Sequence, residues 1–147
     1  EINHLEKFLY ENKKEPLVFK YMPHAVFCEP EIASVGLTQE ECEEQNIPYV
    51  VSTTNWLASA KAQAMKIKYP LTKLLVNPIN YEILGCHLIG PNSSIMMHQV
   101  LTVMHIDNDI RHLKEMLYIH PALSEALLPA AINAVKEIQK YDLERNY

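Results

Sequence analysis

Lys73-Leu74-Leu75-Val76, then Asn77-Pro78-Ile79-Asn80, then Ile83-Leu84-Gly85-Cys86-His87-Leu88-Ile89 is the stretch that decides the fold. Two apolar, β-prone runs flank a cluster of turn residues, so the pattern predicts a β-hairpin. Downstream, Gly90-Pro91-Asn92 marks a turn out of the sheet. Ser93 or Ser94 then offers a cap for a helix with Ile95, Met96, Val100, Val103 and Met104 along it. No Asp, Glu, Lys or Arg occurs from Ile83 to Ile106. Gly90, Pro91, Asn92 and His98 interrupt that run, so it reads as strand, turn and buried helix, not as a membrane span. Asn108 or Asp109 can cap the next helix, with Ile110, Leu113 and Leu117 facing inward. A last helix follows Tyr118-Ile119-His120-Pro121, and Pro129 is expected to kink it.

Upstream of the hairpin, Tyr49–Trp56 is rich in β-branched and aromatic residues and predicts a strand. Thr38 with Glu41 forms a capping-box pattern opening a helix whose Glu40, Glu41, Glu43 and Glu44 form a solvated face. Val26-Phe27 and Ile32–Val35 are short strand-like runs separated by Glu29-Pro30. Ile2, Leu5, Phe8 and Leu9 recur at helical spacing, which predicts a helix over 2–12, with a linker through Asn12–Pro16. Strands come first and helices last, so the fold class is α+β, a mainly antiparallel sheet of four to five strands flanked by helices. The domain division is 1–20 for a preceding helix and linker, and 21–147 for the main domain.

The 147 residues carry 13 basic and 18 acidic side chains, a net charge of −5, with no basic cluster. That balance disfavours nucleic acid and anionic membrane as partners. The chain has three glycines, Gly36, Gly85 and Gly90. Neither a G-x-G-x-x-G fingerprint nor a P-loop can be written, so the domain alone is expected to bind no dinucleotide. Cys28, Cys42 and Cys86 are widely spaced, which suits a reducing, cytoplasmic setting better than a disulfide framework or a zinc ribbon. Among seven histidines, His98, His105 and His112 share a seven-residue spacing. The Asp107-Asn108-Asp109 break falls between them, and no metal site is expected. The sequence starts at Glu1 without a methionine, as a piece cut from a longer protein would.

His120 and Glu125 stand apart. Pro121 suits the first turn of a helix, and a Glu about one turn in can reach back to an imidazole just before the start. A carboxylate on one ring nitrogen fixes the tautomer and leaves the other nitrogen as a base. Spacing alone is equally satisfied by a structural His held by a nearby Glu.

The run His120-Pro121-Ala122-Leu123-Ser124-Glu125 resembles the H-P-x-x-S-E signature of the pyridine nucleotide–disulfide oxidoreductases. Pro23–Phe27, Pro30–Thr38, Ala60-Lys61-Ala62 and Ile83–Pro91 resemble further motifs of the same family, in the same order. The match extends over about residues 21–135. It implies the dimerisation (interface) domain of a flavin-dependent disulfide or dithiol oxidoreductase, most similar to the dihydrolipoamide dehydrogenase branch, with mycothione and glutathione reductases as relatives. By resemblance, such an enzyme uses FAD and NAD(P) bound by upstream domains, and the isolated domain is inactive. Residues 2–12 then end the FAD domain. The implied partners are a second copy in a homodimer, the FAD and NAD domains, and a 2-oxo acid dehydrogenase complex. His120 and Glu125 are the implied acid/base pair supplied to the partner subunit's site. The His120-Pro121 bond is typically cis in the family, with its backbone beside the partner's flavin. A competing reading is a stand-alone dimerisation or interaction module without chemistry. Helices after Gly90 are expected to supply a two-fold interface through Met96, Met97, Leu101, Met104 and Leu127.

Overall fold

The computed structural model describes residues 2–11, 16 and 19–145. In chain order these form α1 (Ile2–Tyr10), β1 (His24–Val26), β2 (Ile32–Gly36), α2 (Gln39–Glu44), β3 (Val50–Thr54) and α3 (Ala60–Ala64). There follow β4 (Leu71–Val76), β5 (Ile83–Ile89), α4 (Ser93–Ile106), α5 (Ile110–Glu115), a 3₁₀ turn (Leu123–Ala126) and α6 (Leu127–Arg145). The strands make one antiparallel sheet in the order β1-β2-β5-β4-β3. The expected hairpin is its centre. Asn77 closes it: its Oδ1 accepts from Ile79 N–H, and its backbone N–H donates to the Glu82 carbonyl.

Register explains the core. Val35, Cys86, Leu74 and Ser52 lie in one cross-strand row, and Ala33, Leu88, Thr72 and Thr54 in the next. These rows face α4 and α6, and all but Thr54 are buried. Two polar members of the face find partners: Ser52 Oγ donates to the Ala130 carbonyl of α6 at 2.8 Å, and Trp56 Nε1 donates to Thr72 Oγ1 at 2.9 Å, whereas Thr54 Oγ1 has none among the described residues. Gly90, at φ +145°, lets the chain leave the sheet beneath Trp56, since a Cβ there would lie 2.4 Å from the indole ring. The uncharged run is β5, the turn and α4, and among the described residues no helix is long and apolar enough to cross a membrane.

Several expectations are corrected. The first helix stops at Tyr10, and positions 12–15 of the expected linker lie outside the described residues. Neither Ser93 nor Ser94 caps α4 with its side chain. Asn92 occupies the cap position at φ 63°, Ser93 Oγ turns to the Gly90 carbonyl, and the Glu31 carboxylate accepts from Ser94 N–H. Asp109 does cap α5, accepting from Arg111 N–H. Leu117 lies beyond the end of α5 and is 99% exposed. Pro129 falls in the first turn of α6, where an absent N–H breaks no helical bond, because the preceding turn is 3₁₀. Met96, Met97, Leu101, Met104 and Leu127 are buried inside the chain's own core, so they cannot be its interface. Two sheet-facing helices consume that apolar surface within one copy. The five-residue helix α3 was not anticipated.

Candidate functional site

The site is the segment leading from α5 into α6. Tyr118 anchors its near end: the ring is half-buried and its hydroxyl donates to the Leu113 carbonyl at 2.7 Å. Burial pushes this phenol well above its ordinary pKa. His120 follows, joined to Pro121 by a cis peptide bond. Pro121 lies before the helical turn instead of inside it, and Ala122, extended at φ −138°, takes the cap position.

Glu125 does what Ala122's methyl cannot. Its Oε2 accepts from Ala122 N–H at 2.8 Å, and its Oε1 lies 2.8 Å from His120 Nδ1. The Ala122 N–H first, and the His120 contact second, hold the Glu125 carboxyl below its usual range. A carboxylate only accepts, so Nδ1 carries the hydrogen and the neutral ring presents the Nε2 lone pair. That nitrogen has no hydrogen-bond partner among the described residues, and the His120 side chain is 69% exposed. The predicted pair is thus brought together, with one nitrogen committed and the other open to a reactant.

Beside it lies an open cleft of about 540 Å³, walled by Lys61 of α3 and Met65 at its end, Asn92 and Ile95 near the start of α4, and Pro121 and Ser124. Of the histidines with the seven-residue spacing, two have partners of their own. His105 Nδ1 lies 2.9 Å from the Leu101 carbonyl, and His112 lies 2.6 Å from Asp107. No group of three metal-ligating side chains converges among the described residues. Nor is any glycine left to cradle a phosphate. A Cβ on Gly36 or Gly85 would lie 2.1 Å from the carbonyl oxygen of Leu84 or Leu37, and Gly90 is closed by Trp56. Buried Ser59, whose hydroxyl donates to the Ala122 carbonyl at 3.0 Å, was missed by sequence reasoning, because its partner is 63 residues away.

A five-stranded antiparallel sheet packed against helices is the α+β architecture of the disulfide-reductase dimerisation domain. Residues 22–131 match the model of the family described as "Pyridine nucleotide-disulphide oxidoreductase, dimerisation domain", and the chain belongs to that family. It is 32% identical over 124 residues to a dihydrolipoyl dehydrogenase of Buchnera aphidicola, covering 84% of this chain and 26% of that protein. To the mitochondrial dihydrolipoyl dehydrogenase 1 of Arabidopsis thaliana it is 31% identical, covering 76% of this chain and 22% of that one. Among solved structures, the HOCl-induced flavoprotein disulfide reductase RclA of Escherichia coli superposes with a TM-score of 0.78 at 26% identity, over 87% of this chain and 30% of that one. The chain spans about a quarter of the length of the curated relatives it matches.

Proposed function

We propose that this chain is the dimerisation domain of a homodimeric, FAD- and NAD(P)-dependent dithiol oxidoreductase of the dihydrolipoamide dehydrogenase type. In it, His120 is the acid/base group, delivered to the partner subunit's site and positioned by Glu125. The observation that carries this reading is the 2.8 Å contact between Glu125 and an imidazole whose other nitrogen is open, within a domain of this family. Flavin and nicotinamide would be held by other domains, with residues 1–20 forming the end of the flavin domain and its linker. By itself the chain would be colourless and inactive.

The chemistry assigned to this chain is a proton transfer. A dithiol reacts as its thiolate, yet a free thiol with a pKa of about 8.5 is mostly protonated at neutral pH. His120 Nε2 takes the S–H proton, giving thiolate and imidazolium, and Glu125 opposite Nδ1 stabilises the charge that arrives. The reverse transfer serves the opposite reaction.

In the full-length protein, His120→Gln is expected to leave flavin content and dimerisation unchanged while slowing dithiol turnover by about 10² to 10⁴. Glu125→Gln, which keeps a hydrogen-bonding side chain but loses the charge, costs less. Reduction of the flavin by the nicotinamide needs no thiol proton and should persist. Near-normal dithiol turnover in His120→Gln would overturn the assignment and leave His120 as a structural residue.

A further inference from the structure

The Ala122 backbone is held on both sides of its Cα. Its N–H is held by Glu125, the same carboxylate that holds His120. Its carbonyl accepts from Ser59 Oγ at 3.0 Å. Ser59 is 1% exposed and stands at the cap of α3, where its oxygen also accepts from Ala62 N–H at 3.3 Å. A serine hydroxyl has one hydrogen to give and two lone pairs. Capping α3 uses only a lone pair, so the hydrogen is free to be given elsewhere, and it goes to Ala122. The chain of contacts therefore runs Ser59, Ala122 backbone, Glu125, His120, and reaches the cleft at Ala122.

We propose that Ser59 is a positioning residue for the His120–Glu125 pair, fixing the Ala122 backbone so that Glu125 meets His120 Nδ1 in one geometry. The proposal rests on the acid/base reading of His120. Without the clamp, a part-buried carbonyl loses its partner and the Ala122 backbone, whose N–H on the other side of the Cα binds Glu125, is less tightly fixed. A small displacement of a positioned group is costly in rate, up to about 10²-fold per ångström. Capping alone predicts something different: loss of the serine would weaken α3 and leave the dyad chemistry intact.

The test is a set of variants in the full-length flavoprotein, assayed for kcat and KM with a dithiol and, separately, for flavin reduction by the nicotinamide. Ser59→Ala is expected to lower dithiol kcat about 10-fold, with KM and the nicotinamide half-reaction nearly unchanged. Ser59→Thr, which keeps both donor and acceptor, should restore kcat to within about 2-fold. On a Glu125→Gln background, Ser59→Ala should add less than about 2-fold, because residues acting through one another are not additive. If Ser59→Ala does not fold, Ser59→Cys carries the same comparison, since its S–H donates weakly in similar volume. Full dithiol turnover in Ser59→Ala, beside an impaired His120→Gln, would overturn the role of Ser59 and leave the acid/base reading standing. Equal losses on both backgrounds, or equal losses in both half-reactions, would also overturn it, as a purely structural effect. An active His120→Gln would overturn the acid/base reading, and this proposal with it.

Discussion

Glu125 accepts one hydrogen from the backbone and one from an imidazole, and each favours the charged carboxylate over the acid. Its pKa in the folded chain is accordingly lowered, with the Ala122 N–H as the larger cause. For a group whose folded pKa lies below its unfolded value, the stabilisation is complete above the unfolded value and is lost as pH falls through the folded one. Glu125 therefore keeps its hold on Ala122 across the whole neutral range. The expected outcome in thermal melts is that the Tm difference between the native chain and Glu125→Gln does not shrink between about pH 8 and pH 5, and closes below about pH 4. A difference that vanished between pH 7 and 6 would place the titrating group elsewhere. The pairing was legible because it is local, five positions apart on the entry to a helix. The Ala122 N–H was not, because the helical turn starts two residues later than the proline suggests and places an alanine at the cap position.

Two helix starts show why some elements are readable and others are not. α2 is only six residues long, too short to hold itself, and Thr38 and Glu41 close a reciprocal capping box around its first turn. Both partners sit within three positions, so the sequence displays them side by side. α4 starts from Asn92 without a side-chain cap, and the carboxylate at its N-terminus comes from Glu31, on the approach to β2. The same residue's carbonyl accepts from Gly90 N–H at 2.8 Å, so the turn and the helix start are both built on it. No window along the chain contains that pairing. In urea titrations Glu31→Ala should cost about 1–2 kcal/mol, through a lost cap and a lost anion at the positive end of α4. Ser94→Ala should change stability by no more than about 0.5 kcal/mol, because Ser94 contributes its backbone N–H and not its hydroxyl. The reverse order of effects would restore the local serine cap. Pro129 follows the same logic: its position in the chain was plain, but whether it lies mid-helix or in a first turn depends on the 3₁₀ segment before it.

At the scale of the whole molecule, the methionine-rich face of α4 is buried inside the domain, so a dimer surface must be sought elsewhere. Leu117 is 99% exposed and Ile119 is 80% exposed, and they bracket Tyr118 immediately before His120. Tyr118 turns inward to α5, which forces its two apolar neighbours outward. Large aliphatic side chains left this bare, beside an open imidazole, are what a partner subunit would cover in the homodimer proposed above. A two-fold axis would bury each copy's segment against the other, since such an interface is isologous. Ile119→Asp in the full-length protein is therefore expected to shift the sedimentation profile toward monomer at low micromolar concentration and to reduce dithiol turnover in parallel. Burying an unpaired carboxylate at a subunit contact costs several kcal/mol, whereas on an exposed monomer surface it costs almost nothing. The same substitution in the 147-residue chain should accordingly leave its thermal midpoint within about 2 °C. A full-length Ile119→Asp that stayed dimeric and active would exclude this segment from the interface.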